Sequence, residues 1–203
     1  MTICKVCNRE YKRKTCEFCK RMQKWRTVIL EERMKNYLTP RIIKDLKSFP
    51  FPPSKFIEKE SLYLFGKVGT GKTIKASVIF LQNQEENYIT NCNKTYEFIS
   101  IPNLLMMIKD SFDCDEIRES DIIKKYSEVD ILVLDDFGIE KTTDWSLQIL
   151  YLIINYRYEY LKQTIITSNI SLEQLAKKLG DERIPSRLKQ MCKIIECKKQ
   201  YRI

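Results

Sequence analysis

Residues 66–73 read GKVGTGKT: Gly66, Lys67, Val68, Gly69, Thr70, Gly71, Lys72 and Thr73. This G-x-x-x-x-G-K-T pattern follows a short apolar run, Leu62-Tyr63-Leu64-Phe65, and precedes a helical pattern from Thr73 to Leu81. A strand turning sharply into a helix aims several backbone N–H groups at one spot, and the helix dipole adds partial positive charge there. Gly66, Gly69 and Gly71 let the chain curl close to a ligand where a Cβ would intrude. Lys72 can reach the outer phosphates of a nucleotide, and the Thr73 hydroxyl can hold Mg²⁺. The alternative is a glycine-rich turn that matches by chance, and strand, loop, Lys-Thr and helix in that order weigh against it.

Working outward, the 203 residues are 43% hydrophobic and 31% charged, which suits one ordinary domain with a small appendage. No run approaches the ~18 apolar residues that a bilayer span needs. The opening MTICKVCNREYKRK has no apolar stretch behind its charges, unlike a secretory signal, so a cytoplasmic protein with no membrane partner is expected. The net charge of +9 is uneven. Residues 1–60 carry 16 Lys and Arg against 7 Asp and Glu, whereas residues 61–203 carry 20 of each. A basic N-terminal part is the footprint of contact with a polyanion or an acidic protein surface; the plainer alternative is a solvated basic segment.

Cys4-x2-Cys7 and Cys16-x2-Cys19 form two C-x-x-C pairs eight residues apart. Two such knuckles supply four thiolates in the tetrahedral arrangement that suits Zn²⁺. The chain contains no His, so a zinc site here is all-cysteine. About 20 residues cannot bury a core, and a structural metal supplies the missing folding energy. Disulfides are the rival pairing, disfavoured in a cytoplasmic chain. Cys192 and Cys197 flank Ile194-Ile195 and read as buried thiols, while Cys92 and Cys114 fit no pattern.

The spacing of Trp25, Val28, Ile29, Met34 and Leu38 predicts a helix over 20–48 that Pro40 breaks. Phe49-Pro50-Phe51-Pro52-Pro53 then reads as a stiff linker. Past the glycine-rich loop, strand and helix patterns alternate. A strand is expected over Tyr96–Ile101, a helix over Pro102–Phe112, an acidic loop over 113–121 and a short helix over Ile122–Ser127. Asp130-Ile-Leu-Val-Leu-Asp135-Asp136 suits a strand buried on both faces, with its carboxylates at the C-terminal end where ligands of parallel sheets bind. Asp135 would hold Mg²⁺ through water or Thr73, and Asp136 would orient or deprotonate an attacking water. Both could instead cap the turn at Gly138. A helix over Thr143–Leu161 is expected to bury Leu147, Leu150, Tyr151 and Ile154. A strand over Gln163–Thr167 delivers Ser168-Asn169 beside Asp135, where a polar side chain could reach the γ-phosphate or the attacking water, or could instead cap the helix that opens at Ser171. Arg183 and Arg187 share a helix face if that stretch is helical, and read either as surface arginines or as residues reaching a neighbouring subunit.

In that order, GKVGTGKT, ILVLDDFG, IITSN and DERIPSRL resemble the DnaC/DnaI group of bacterial and phage helicase loaders, a branch of the AAA+ ATPases. The resemblance covers most of residues 60–203. It implies an α/β P-loop fold, a parallel sheet with helices on both faces and no C-terminal helical lid. It also implies Mg²⁺-dependent and slow ATP hydrolysis, with Asn169 as the sensor residue and Arg187, then Arg183, as the arginine finger. A cysteine-rich zinc module that engages the replicative helicase also occurs among such loaders. The expected organisation is a four-cysteine zinc module over 1–20, a basic helical linker over 21–59 and an ATPase domain over 60–203. Expected partners are the replicative helicase, single-stranded DNA on basic surface, and further copies of the chain in an ATP-dependent ring or spiral. An IstB-like transposition helper shares the ATPase motifs but usually lacks the C-x-x-C pairs. A small-molecule P-loop kinase would need an acceptor pocket and an arginine-rich lid. A third alternative is a zinc-containing DNA-binding module in which ATP is structural.

Overall fold

The computed structural model describes residues 2–3, 10–11, 16–47, 58–113, 117–138 and 143–198. The chain divides into two compact units, Met1–Glu58 with Ser77–Asn93, and Lys59–Ala76 with Lys94–Ile203.

The larger unit is built on a five-stranded, all-parallel sheet. Its strands are β3 (Ser61–Phe65), β4 (Tyr96–Ser100), β5 (Ile131–Phe137), β6 (Gln163–Ser168) and β7 (Cys192–Glu196), in the order β4-β5-β6-β3-β7. The chain leaves β3 for the far edge at β4, returns through β5 to β6 beside β3, and adds β7 on the other side. The strand order therefore reverses at β3, where ligands enter sheets of this kind. β5 reads as a continuous apolar run because both of its faces are covered, and residues Ile131 to Leu134 are buried.

The connecting helices are α4 (Lys72–Thr90), α5 (Ile101–Asp110), α6 (Glu119–Glu128), α7 (Asp144–Glu159), α8 (Leu172–Leu179) and α9 (Arg183–Met191). Ser100 caps α5, with Pro102 in its first turn, and reciprocal caps start α7 at Thr143–Ser146 and α8 at Ser171–Gln174. The expected acidic loop is shorter than 113–121, because α6 already begins at Glu119; residues 114–116, including Cys114, lie outside the described residues. The buried face of α7 also differs from the expected stripe. It carries Ser146, Ile149, Leu150, Ile153, Ile154 and Arg157, leaving Leu147 and Tyr151 half-buried. Arg157 lies on this face, which apolar periodicity alone does not reveal.

Arg157 is fully buried. Its Nη1 donates to the carbonyls of Tyr126 (3.1 Å), Ser127 (3.0 Å) and Val129 (2.7 Å), its Nη2 to Gln163 O (2.6 Å) and its Nε to Thr164 Oγ1 (2.8 Å). One guanidinium thus satisfies the carbonyls left over at the end of α6 and ties them to the start of β6. Burial pulls its pKa down to about 9, so it still carries its proton at neutral pH.

In the smaller unit, β1 (Thr2–Ile3) pairs antiparallel with β2 (Glu10–Tyr11). Then follow α1 (Glu17–Lys24), a π-helical segment over Trp25–Ile29, α2 (Leu30–Tyr37) and α3 (Pro40–Lys47). Pro40 ends one helix and opens the next, as its missing N–H requires. Trp25, Met34, Leu38 and Leu46 are buried, but Val28 is 61% exposed. The wide π turn shifts the phase of the residues within it, so Val28 leaves the stripe that an α-helix would give it. Trp25 meets Tyr88, Tyr37 meets Phe80, and Arg26 Nε pairs at 2.9 Å with a fully buried Glu85. Residues Ile79 to Glu85 are all buried. α4 therefore runs well past the expected Leu81, through polar residues that periodicity alone reads as surface. The stiff linker expected over Phe49–Pro53 lies outside the described residues.

Candidate nucleotide-binding site

Three glycines set the path of the loop between β3 and α4. Gly66, Gly69 and Gly71 have φ of 148°, 84° and 78°. At Gly66 a Cβ would also overlap the carbonyl oxygen of Cys197, because the end of β7 closes on this turn, with Cys197 N donating to Phe65 O at 2.7 Å. Gly66 is thus required by a neighbouring strand, a different reason from the ligand approach that the motif suggests. Cys192 is buried and its thiol pushed up to about 12 by desolvation, while Cys197 is half-buried and Cys92 exposed.

Lys72 is buried, and Nζ donates to Gly66 O (2.8 Å) and Lys67 O (2.9 Å). An ammonium has three N–H groups, so two brace the loop and the third is left for a ligand. Desolvation lowers the Lys72 pKa, and Asp136 and Asp135 are among the groups that oppose the shift. Thr70 Oγ1 donates to Lys67 O (2.8 Å), closing the loop on itself. Lys67 and Val68 are exposed at its tip.

The two aspartates owe their positions to a bulge. Leu134 pairs with Ile166 and Phe137 with Ser168, so Asp135 and Asp136 together face Thr167 alone. Asp136 takes φ of 60°, a strained conformation for a residue with a Cβ. In a regular strand the two side chains would point to opposite faces; the bulge re-aims one of them. Asp135 Oδ1 accepts from Thr73 Oγ1 (2.9 Å) and Thr167 Oγ1 (2.5 Å). Thr167 Oγ1 also accepts the backbone N–H of Asp136 (3.0 Å). Burial raises the Asp135 pKa against the lowering effect of the two hydroxyls. The oxygens of Thr73 and Asp135 form the hard donor pair that Mg²⁺ favours, and a raised carboxyl pKa is what an added cation would relieve.

Asn169 is half-buried at the tip of β6, and its side chain forms no hydrogen bond among the described residues. Thr167, two positions earlier, is the site residue that sequence reasoning missed. Its signal is only that a hydroxyl stands opposite Asp135-Asp136 once β5 and β6 are aligned.

Arg183 and Arg187 both lie on α9, as expected, but in different states. Arg183 is exposed and forms a two-pronged contact with Asp181 (Nη2 to Oδ2, 2.7 Å; Nε to Oδ2, 3.0 Å), with its guanidinium over the Tyr151 ring. Arg187 stacks on Tyr158, and its Nε donates to Asn155 Oδ1 (3.0 Å).

Of the four cysteines in C-x-x-C pairs, Cys4 and Cys7 lie outside the described residues. Cys16 caps α1 and Cys19 sits in its first turn, three residues on, so both occupy one side of the helix start. Among the described residues no group of three or more candidate metal ligands occurs. None of the described helices is long and apolar enough to cross a membrane.

A protein-family profile described as IstB-like ATP binding protein matches residues 10–203. The replicative helicase loader DnaC of Escherichia coli K12 is 27% identical over 129 residues, 64% of this chain and 50% of that protein. The phage-like element PBSX protein XkdC of Bacillus subtilis is 26% identical over 143 residues, 68% of this chain and 50% of that one. The chain spans about half the length of these relatives. Among solved structures, that of the DnaC helicase loader superposes with a TM-score of 0.57 at 28% identity, covering 78% of this chain and 86% of that one. DnaI shares the fold at 24% identity, with a TM-score of 0.58 over 78% and 84% of the two chains. The expected α/β P-loop fold is borne out, and with a profile match over nearly its whole length the chain belongs to the family of IstB-like ATP-binding proteins, in the DnaC-like branch of the AAA+ class.

Proposed function

We propose that this protein is an ATP-dependent loader of the replicative helicase. The observation that carries this reading is the likeness to the DnaC loader in both sequence and fold, centred on the loop and aspartates described above. Gly66 to Thr73 hold the ATP phosphates, with the third N–H of Lys72 on the outermost. Thr73 and Asp135 would hold Mg²⁺, whose charge would offset that developing on the phosphoryl oxygens. Asp136 orients the attacking water and accepts its proton, and Asn169 fixes that water from the tip of β6. Arg187, with Arg183 second to it, acts on the nucleotide of a neighbouring copy, which makes the contact head-to-tail and the assembly a ring or spiral.

Cys4, Cys7, Cys16 and Cys19 hold one structural Zn²⁺, and the module over 1–20 with the basic helical segment over 21–59 grips the helicase, leaving the ATPase domain at 60–203. Basic surface in residues 1–60 supports contact with single-stranded DNA. The work belongs in the cytoplasm. A pull-down of purified replicative helicase with this chain, with and without Mg·ATP, tests the reading. Nucleotide-dependent capture supports it. Failure to capture helicase in either state, with ATP turnover intact, returns the assignment to a transposition helper.

A further inference from the structure

Arg187 and Arg183 are four residues apart on α9, and each guanidinium lies 4.8 Å from the centroid of a tyrosine ring on α7, Tyr158 and Tyr151, but their polar partners differ. The guanidinium of Arg183 spends Nε and Nη2 on Asp181, two residues earlier in its own chain. Arg187 is anchored from behind. Its Nε donates to Asn155 Oδ1 at 3.0 Å, and its guanidinium lies over the Tyr158 ring, 4.8 Å from the centroid. Among the described residues Nη1 and Nη2 have no partner.

The two anchors are themselves fixed. Asn155 Nδ2 donates to Glu159 Oε1 at 2.7 Å, which sets the amide so that its oxygen faces Arg187. The Tyr158 hydroxyl donates to Gln190 Oε1 at 2.7 Å, which pins the ring to α9 three residues beyond Arg187. Asn155 and Tyr158 are three apart on α7, and both project toward α9. A flexible arginine loses its rotamer freedom when it must hold one pose, and that cost falls if the pose is already formed. Stacking holds the plane, the Nε bond sets the rotation, and the two Nη groups are left without a partner among the described residues.

We propose that Asn155 and Tyr158 are positioning residues that pre-form Arg187 for an anionic group on a second copy of the chain, the terminal phosphate of its bound nucleotide. Asp181 holds Arg183 out of that role. This inference rests on the trans-acting reading above, and it selects between the two arginines on geometry alone.

The test uses the full chain with single-stranded DNA, measuring ATP turnover and, separately, nucleotide affinity of dilute protein. Arg187→Ala should lower kcat by about 10³-fold or more if it stabilises transition-state charge. Asn155→Ala and Tyr158→Leu should each lower kcat roughly 5- to 20-fold, with nucleotide affinity unchanged. Tyr158→Phe keeps the ring face and should stay within about threefold of the parent. Asp181→Asn should not reduce turnover. In the Arg187→Ala background, Asn155→Ala should have no further effect, because nothing remains for it to position. Mixing Asn155→Ala chains with Lys72→Ala chains should restore turnover, since the second kind supplies an intact Arg187 to nucleotide held by the first.

Two results overturn the positioning role while leaving the trans-acting reading in place. One is parental turnover in Asn155→Ala and Tyr158→Leu alongside a deep loss in Arg187→Ala; the other is a further loss when Asn155→Ala is added to Arg187→Ala. Parental turnover in Arg187→Ala overturns both readings together.

Discussion

At the scale of single residues, the site depends on a few atoms with two duties each. Lys72 braces the loop with two N–H groups and offers the third. Lys72→Ala should weaken Mg·ATP binding roughly 10- to 100-fold, the worth of charge-assisted hydrogen bonds in a sheltered site, as titration calorimetry would show. Thr167 donates to Asp135 and accepts from Asp136 with one hydroxyl. Thr167→Val should reduce ATP turnover by about tenfold and Thr167→Ser should restore it, because only the hydroxyl matters. Asp135 has a carboxyl pKa raised by burial, so the native state binds its proton more tightly than the unfolded chain does. Its contribution to stability is therefore greatest below the unfolded pKa and is lost as pH rises through the folded one. At neutral pH the buried charge opposes folding. Asp135→Asn should melt at a higher temperature than the parent without Mg²⁺ and should lose the stabilisation that Mg²⁺ gives the parent. A lower melting temperature for the variant would contradict this account.

At the scale of elements, the bulge in β5 and the clamp of α7 each solve a problem that a regular element cannot. The bulge sets two adjacent carboxylates opposite the single residue Thr167. Arg157 closes the end of α6 by donating to its last carbonyls, where a helix usually turns to solvent or a glycine cap. Arg157→Met keeps much of the volume but leaves buried carbonyls unpaired, and should cost about 3 kcal/mol or more in urea unfolding. Arg157→Lys should be nearly as harmful, because a single ammonium lacks the fork that reaches five acceptors. The π-helical segment over Trp25–Ile29 shows the converse, a local irregularity that turns Val28 out of the apolar stripe.

At the scale of the whole molecule, composition and metal content give the clearest tests. Freshly prepared, reduced protein should hold about one zinc per chain. Chelation should lower far-ultraviolet circular dichroism and raise protease sensitivity near residues 1–19, while ATP binding persists in the larger unit. A zinc-free yet fully helicase-competent preparation would remove the metal from the account. The positive charge concentrated in residues 1–60 predicts salt-sensitive DNA binding. Affinity for a single-stranded oligonucleotide should fall at least about tenfold between 50 and 200 mM salt, through counterion release. An affinity indifferent to salt would place the DNA contact elsewhere.

The sequence by itself determined the features that depend on neighbours along the chain. GKVGTGKT announces a strand, a tight loop and a helix because glycine conformation and helix-end chemistry are local. ILVLDD announces a buried strand ending in carboxylates, and Pro40 marks a helix boundary for the same reason. What only the tertiary structure decided was everything set by a partner distant in sequence. Thr167 joins the site because β6 lies in register with β5, and Gly66 is confined by the end of β7. Arg157 is buried because carbonyls some thirty residues away need its guanidinium, and α4 runs through polar residues because Trp25, Arg26 and Tyr37 meet it. Arg187 differs from Arg183 in its polar partner, Asn155 on α7 against Asp181 just ahead of α9. Periodicity reports which face of an element is apolar, whereas the pairing of polar atoms across the fold depends on a register and a packing that no local pattern carries.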